Sequence, residues 1–316
     1  MIVTQSQIER RLEEITARVK DPRHGLFGPG SMTWRISRES VVFLGAGRAA
    51  LLQLAHPYVA HGIEQHSTTR ADPVGRFNRT FLHVYGMIFG DLESALGAAR
   101  RVRKVHDRIH GAIDEDVGRY ARGQRYTAHD EAALLWVFAT LTETSVMAYE
   151  LGIGPLSPAE KDAYYQEIKL FAGLFGISEE AMPVDWPSFK HYCKEMVSGD
   201  ALGVGRPARE TARFLLTPPR GALGPFMRSY AALTTGLLPP RLREGFGLPF
   251  GRAEEASFQR TLGVVKRVWP RLPDRLRWVP DYVEALRRID GRPRPDRLGR
   301  AVQQLILSSV KPPRAE

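Results

Sequence analysis

One of the chain's nine histidines stands out by its neighbours. His106 follows Val102 by four residues and precedes Ile109 by three, so on a helix all three project from one face and the imidazole enters an interior pocket. An imidazole placed there either takes a hydrogen bond in the core or gives its lone pair to a metal. His110, one turn further on, shares much of that face and is the alternate. Arg76 and Thr80 are four apart, a spacing that lets a guanidinium and a hydroxyl address one edge of a ligand. An exposed arginine and a helix-interior threonine satisfy the same spacing. His56, His61 and His66 form a third group with Glu64. Glu64 there is a candidate base and His66 a candidate ligand partner. The same residues read equally as a polar helix end, and the histidine spacing matches no standard metal-binding pattern.

A fourth feature points to different chemistry. Val41-Val42-Phe43-Leu44 followed by Gly45-Ala46-Gly47-Arg48-Ala49-Ala50 matches the form of a strand leading into a dinucleotide-binding turn, where glycines admit a pyrophosphate to a helix N-terminus. That fingerprint needs a second strand ending in an acid about 20 residues later. From His56-Pro57 to Arg70 no apolar strand follows. The alternative is that the small residues allow close helix packing; an NAD- or FAD-dependent oxidoreductase remains the competing reading.

These groups need helices to position them, and the pattern supplies helices almost throughout. Ile8, Leu12, Ile15 and Val19 fall at three- and four-residue steps over Gln5 to Val19. Trp34 to His66 is nearly continuously apolar apart from Pro57 and reads as helix followed by helix. A helix is expected from Asp72-Pro73 to a stop at Gly90, and another from Leu92 to Ile113 with His106 on its inner side. Asp130 to Leu151 reads as a helix buried on most sides. Ser157-Pro158-Ala159-Glu160 is a strong helix start, with a serine cap, proline at the first position and an acid at the third. Further helices fit Lys161–Phe175, Pro187–Ser198, Ala208–Leu216, Phe226–Leu238, Ala253–Val268 and Tyr282–Arg288, and a frayed tail fits Val310–Glu316. No segment alternates as a strand. The expectation is a single all-α domain over residues 1–316.

Composition narrows the setting. A lone cysteine, Cys193, forms no internal disulfide, which points to a reducing, cytoplasmic compartment. The first twenty residues are charged and carry no apolar stretch of signal-peptide type. Neither Ala132–Leu141 nor Gly221–Leu238, interrupted by Arg228, reaches the roughly 20 clean apolar residues of a membrane span. The formal charge of +10 is uneven: residues 1–200 hold 23 Lys+Arg against 25 Asp+Glu, and residues 201–316 hold 22 against 10. The arginines of that C-terminal third lack interleaved aromatics that would stack bases, so no nucleic acid is expected. Gly221–Leu238 followed by Arg241 and Arg243 has the form of a peripheral membrane contact, and also of a core helix.

Several of these stretches together resemble one known family. The run Gly45 to Ser67 (GAGRAALLQLAHPYVAHGIEQHS), then Arg76-Phe77-Asn78-Arg79-Thr80, then His106-Asp107-Arg108-Ile109-His110-Gly111 is similar to the MpaB and latex-clearing (rubber oxygenase) proteins. The resemblance continues through Tyr126–Glu150 and Leu237–Glu244, covers about residues 35–280, and is densest between Gly45 and Gly111. It implies an all-α, globin-like helical bundle around a b-type haem (haem b), with His106 as iron ligand and His110 as alternate. It places Arg76, Arg79 and Thr80 beside the cofactor, Arg76 pairing a propionate or polarising bound oxygen, with His56, His66 and Glu64 near it. Latex-clearing proteins can carry a lysine that reaches the iron. This chain has Arg79 there, and a guanidinium has no lone pair to give a metal. The implied activity is O2-dependent oxidation of an apolar, unsaturated substrate; a haem protein without turnover is the alternative.

Overall fold

The computed structural model describes residues 1–67, 73–217 and 224–309; the side chains of 73–78, 302 and 305–309 lie outside that description. In chain order the helices are α1 (Gln5–Arg18), α2 (Met32–Ser37), α3 (Ala46–Leu54), α4 (Pro57–His66), α5 (Pro73–Phe89), α6 (Leu92–His106), α7 (Glu131–Gly152) and α8 (Pro158–Gly173). They continue as α9 (Trp186–Ser198), α10 (Arg206–Leu216), α11 (Gly224–Leu237), α12 (Pro240–Gly245), α13 (Arg252–Val268), α14 (Asp274–Arg277), α15 (Pro280–Ile289) and α16 (Arg297–Ser309). The fold is all-α, as the periodicity and the resemblance implied.

Local chemistry sets many of the helix ends. Thr4 caps α1 and Gln7 bonds back to it, while Ile8, Leu12 and Ile15 turn the buried face inward. Ser157 and Glu160 form the reciprocal box expected at the start of α8, with Pro158 at the first position. α7 is the core helix, packed against α2, α3, α8, α9 and α13. Its Trp136 is 1% exposed and donates Nε1–H to Leu52 O at 2.8 Å, so the polar edge of a large buried ring is satisfied. By length and composition α7 is sufficient to cross a bilayer, longer than the Ala132–Leu141 stretch suggested, but 67% of its most apolar window is buried within this chain.

Arg48 on α3 ties three helices together. It is 7% exposed, bonds Thr144 Oγ1 at 2.6 Å and Glu143 Oε2 at 2.7 Å on α7, and reaches Leu237 O at the end of α11 at 3.1 Å. Here the glycine-rich segment takes its meaning. No strand precedes it, because Ser40–Gly45 is a 3-10 turn running into α3. A Cβ on Gly45 would collide with Thr144, and one on Gly47 with Thr234. The small residues let α3 approach α7 and α11, and the dinucleotide fingerprint lacks its strand.

Two expectations fail between residues 107 and 127. The helix predicted to run to Ile113 ends at His106, and the chain forms an antiparallel hairpin, β1 (His110–Ala112) with β2 (Arg125–Thr127), in the register His110↔Thr127, Gly111↔Tyr126, Ala112↔Arg125. Gly111 explains the switch. It is a poor helix former, and a Cβ there would press on Gln65 Oε1 and Tyr126 Oη at 2.5 and 2.9 Å. Ile109 and Tyr126 instead pack at Gly62 of α4.

Candidate active site

The final residue of α6 is His106, and its ring lines a cleft with Ile8 of α1, Ala99 and Arg103 of α6, His129, Leu174 and Phe175. Desolvation, reinforced by the neighbouring His129 and Arg103, holds the His106 imidazole down to about 4. It is therefore neutral at pH 7, with no hydrogen-bond partner recorded among the described residues. The His129 ring lies 6.0 Å away, centroid to centroid. Arg103 donates Nη1–H to His129 Nδ1 at 2.9 Å; an arginine only donates, so the proton of His129 sits on Nε2, 2.8 Å from Asp107 Oδ1. His129 is locked as a donor to Asp107, and His106 is left with its lone pair.

The α4 group is differently committed. His56, before the helix, is 2% exposed; burial, helped by the charge of Arg119, holds it down to about 4. The Tyr120 hydroxyl lies 3.2 Å from its Nε2, and its Nδ1 has no partner. His61 is fully buried and donates Nδ1–H to Pro57 O at 2.9 Å. Its Nε2 faces Asp114 Oδ1 at 2.9 Å and Glu115 Oε1 at 3.8 Å. Glu64 is held by Arg206 of α10, with Nη1–Oε1 at 2.7 Å and Nη2–Oε2 at 3.3 Å. His66 donates Nε2–H to His110 O at 3.0 Å. The His110 side chain is exposed on β1 and does not share the helical face expected of it.

Arg79 and Thr80 are exposed on α5. Arg76 belongs to α5 as well, and its side chain lies outside the described residues. The structure thus brings His66 against His110, and Glu64 and His61 into one ionic cluster with Asp114, Glu115 and Arg206. His106 stands in a separate cleft.

The sequence profile of the ER-bound oxygenase mpaB/B'/rubber oxygenase catalytic domain matches residues 34–267. The chain belongs to this family. Uncharacterized protein Mb2261 of Mycobacterium bovis and uncharacterized protein Rv2237 of Mycobacterium tuberculosis are each 29% identical to it over 236 residues, 72% of this chain and 86% of theirs. No solved structure matches the chain significantly. Within the rubber oxygenase match lie α4, α5, α6 and the hairpin. Helix α1, which supplies Ile8 to the His106 cleft, precedes it.

Rubber oxygenase family members are haem-dependent, and His106 offers the donor such a group needs, a neutral imidazole with its lone pair uncommitted. The space is less accommodating. The His106 cleft holds about 10 Å³, against roughly 300–1,000 Å³ for ordinary small-molecule sites. The donor fits, and the cleft has to widen before a porphyrin enters.

Sequence reasoning missed His129, Asp107 and Arg103 as the setting of His106, and Asp114, Glu115 and Arg206 as partners of α4. The acidic run Asp114-Glu115-Asp116 was a visible signal. Nothing local ties Arg206 to Glu64, 142 residues earlier.

Proposed function

We propose that this member of the mpaB/rubber oxygenase family is a haem b-dependent oxygenase acting on an apolar, unsaturated small molecule, with His106 as the protein's ligand to the iron. The observation that carries the proposal is the state of His106, held neutral by desolvation and, among the described residues, without a hydrogen bond, beside a His129 whose two ring nitrogens are both committed. When bound, haem supplies the redox chemistry of O2 that no side chain provides. The protein supplies the rest. Burial and the charge of Arg103 hold the His129 imidazole below its ordinary range, and its bonds to Arg103 and Asp107 commit both of its ring nitrogens. Ile8, Leu174 and Phe175 give the cleft apolar walls that favour an apolar substrate over water. Arg76, Arg79 and Thr80 on α5 are assigned to the cofactor's polar edge.

The test is the ultraviolet-visible spectrum of protein produced with haem supplied, oxidised and dithionite-reduced, beside His106→Ala and His110→Ala. A Soret band in wild type and His110→Ala, lost in His106→Ala, is expected. A wild type without a Soret band removes the haem reading, and loss in His110→Ala alone moves the ligand to His110.

A second reading, haem binding without turnover, draws on the position of Glu64. Both its oxygens are taken by Arg206, so it is not poised as a base. Oxygen consumption over a panel of isoprenoids and unsaturated lipids separates the two.

A further inference from the structure

We propose that His61, Asp114 and Glu115 form a binding site for a divalent transition cation of the zinc or manganese class, where α4, the chain after β1 and the N-terminus of α10 meet. The argument begins with lone pairs. His61 gives its Nδ1 proton to Pro57 O at 2.9 Å, so in the neutral ring Nε2 carries a lone pair. Facing that lone pair are Asp114 Oδ1 at 2.9 Å and Glu115 Oε1 at 3.8 Å, both acceptors. Three electron pairs converge, and a positive particle has to sit among them.

Charge favours a divalent cation over a proton. Glu64, Asp114 and Glu115 gather around Arg206, which contacts Glu64 and Asp114 at 2.7 and 2.6 Å. These three carboxylates and one guanidinium leave two negative charges, which one divalent cation held by the neutral His61 ring balances.

The spacing suits the same conclusion. Three ligand atoms, one from each residue, lie within 4.8 Å of one another. Ligands at the usual zinc distances stand about 3.4 Å apart around a tetrahedron, a value bracketed by the observed 2.9 and 3.8 Å. One imidazole with two carboxylates is a borderline-to-hard donor set that suits zinc and manganese rather than soft copper(I).

Supporting groups are also in place. The Pro57 carbonyl fixes the tautomer and tilt of His61, and Arg206 Nη2 holds Asp114 Oδ2 at 2.6 Å, turning Oδ1 toward the imidazole. The backbone N–H of Arg206 steadies the Glu115 carboxylate at 2.8 and 3.1 Å. A Cβ at Gly205 would collide with that carboxylate, so the glycine makes the room Glu115 needs. His61 is buried, whereas the Asp114 side chain is 51% exposed and gives an ion its way in. The site shares no residue with the His106 cleft, and the bound ion would clamp α10 and the 113–116 segment onto α4.

The experiment titrates the purified full chain, stripped with a chelator, with Zn2+ and separately with Mn2+ by calorimetry, and with Co2+ followed by its visible absorption. One equivalent bound is expected, with a rise in the thermal midpoint. His61→Ala, Asp114→Asn and Glu115→Gln should each weaken binding at least about tenfold, while His191→Ala at an exposed position leaves it unchanged. Wild type without saturable binding overturns the proposal, and so does undiminished affinity in Asp114→Asn. Asp114 is half-exposed, so that variant decides the matter if His61→Ala does not fold.

Discussion

The imidazole of His61 is fully buried and that of His106 partly so, and they differ in what faces them. His61 looks out on carboxylates, with Arg206 and a backbone amide holding the acids in place. His106 looks out on aliphatic and aromatic carbon, with the charges of Asp107 and Arg103 absorbed by His129 and by each other. The first surrounding suits a positive charge and the second expels one. A buried imidazole therefore says little about its role until the lone pairs around it have been counted.

The largest expected effect sets the two rings directly against each other. In protein produced with haem, His106→Ala should lose nearly all of the Soret band and His61→Ala should keep it. Equal loss in both would collapse the distinction.

The next contrast is between apolar and ionic walls. Leu174 is 1% exposed beside His106, and Leu174→Ala should cost about 3 kcal/mol in urea denaturation while giving haem a wider entrance. Faster haem uptake alongside that loss would show that the cleft, not the donor, limits binding.

Acid separates the regions further. The folded His106 value near 4 lies below the ordinary imidazole value of 6.5. As pH falls below 6.5 the unfolded chain takes up the proton first, so this contribution is fully present above 6.5 and is lost as pH falls toward 4. Between pH 7 and 5 the wild type should lose roughly 1–2 kcal/mol through His106, with a parallel loss through His56, which is also held near 4. His106→Ala should show a shallower pH dependence of its urea midpoint.

The smallest effect belongs to the ionic side. Arg206 is 46% exposed, and screening limits Arg206→Ala to about 1 kcal/mol. The same variant should weaken Zn2+ binding by disordering Asp114, a change that stability alone would not reveal.

Local signals were legible in the sequence and long-range ones were not. The stripe of Ile8, Leu12 and Ile15 and the Ser157–Glu160 box act within one helical turn or two, so α1 and α8 begin where expected. The spacing around His106 pointed to Val102 and Ile109, whereas the cleft at His106 is lined by Ile8, Ala99, Leu174 and Phe175 with Arg103 and His129. The end of α6 was misread because Ile109 and Ile113 keep a helical period, although they turn inward from a hairpin whose strands are too short to show alternation. The glycine-rich run imitates a nucleotide turn because close helix packing and close phosphate approach both demand a missing Cβ. The cluster of His61, Glu64, Asp114, Glu115 and Arg206 unites three distant stretches, and no local pattern announces such a meeting.

The wall that α1 lends to His106 has a consequence for the order of assembly. Ile8 meets Leu174 and Phe175 there, and Val3 is bound to His129 and Arg103 through its backbone. A chain emerging from the ribosome makes α1 first, yet its resting place exists only after residue 175 has followed. Helix α1 therefore waits for α8 and the residues just beyond it before it docks, and until it does the imidazole of His106 keeps one side open.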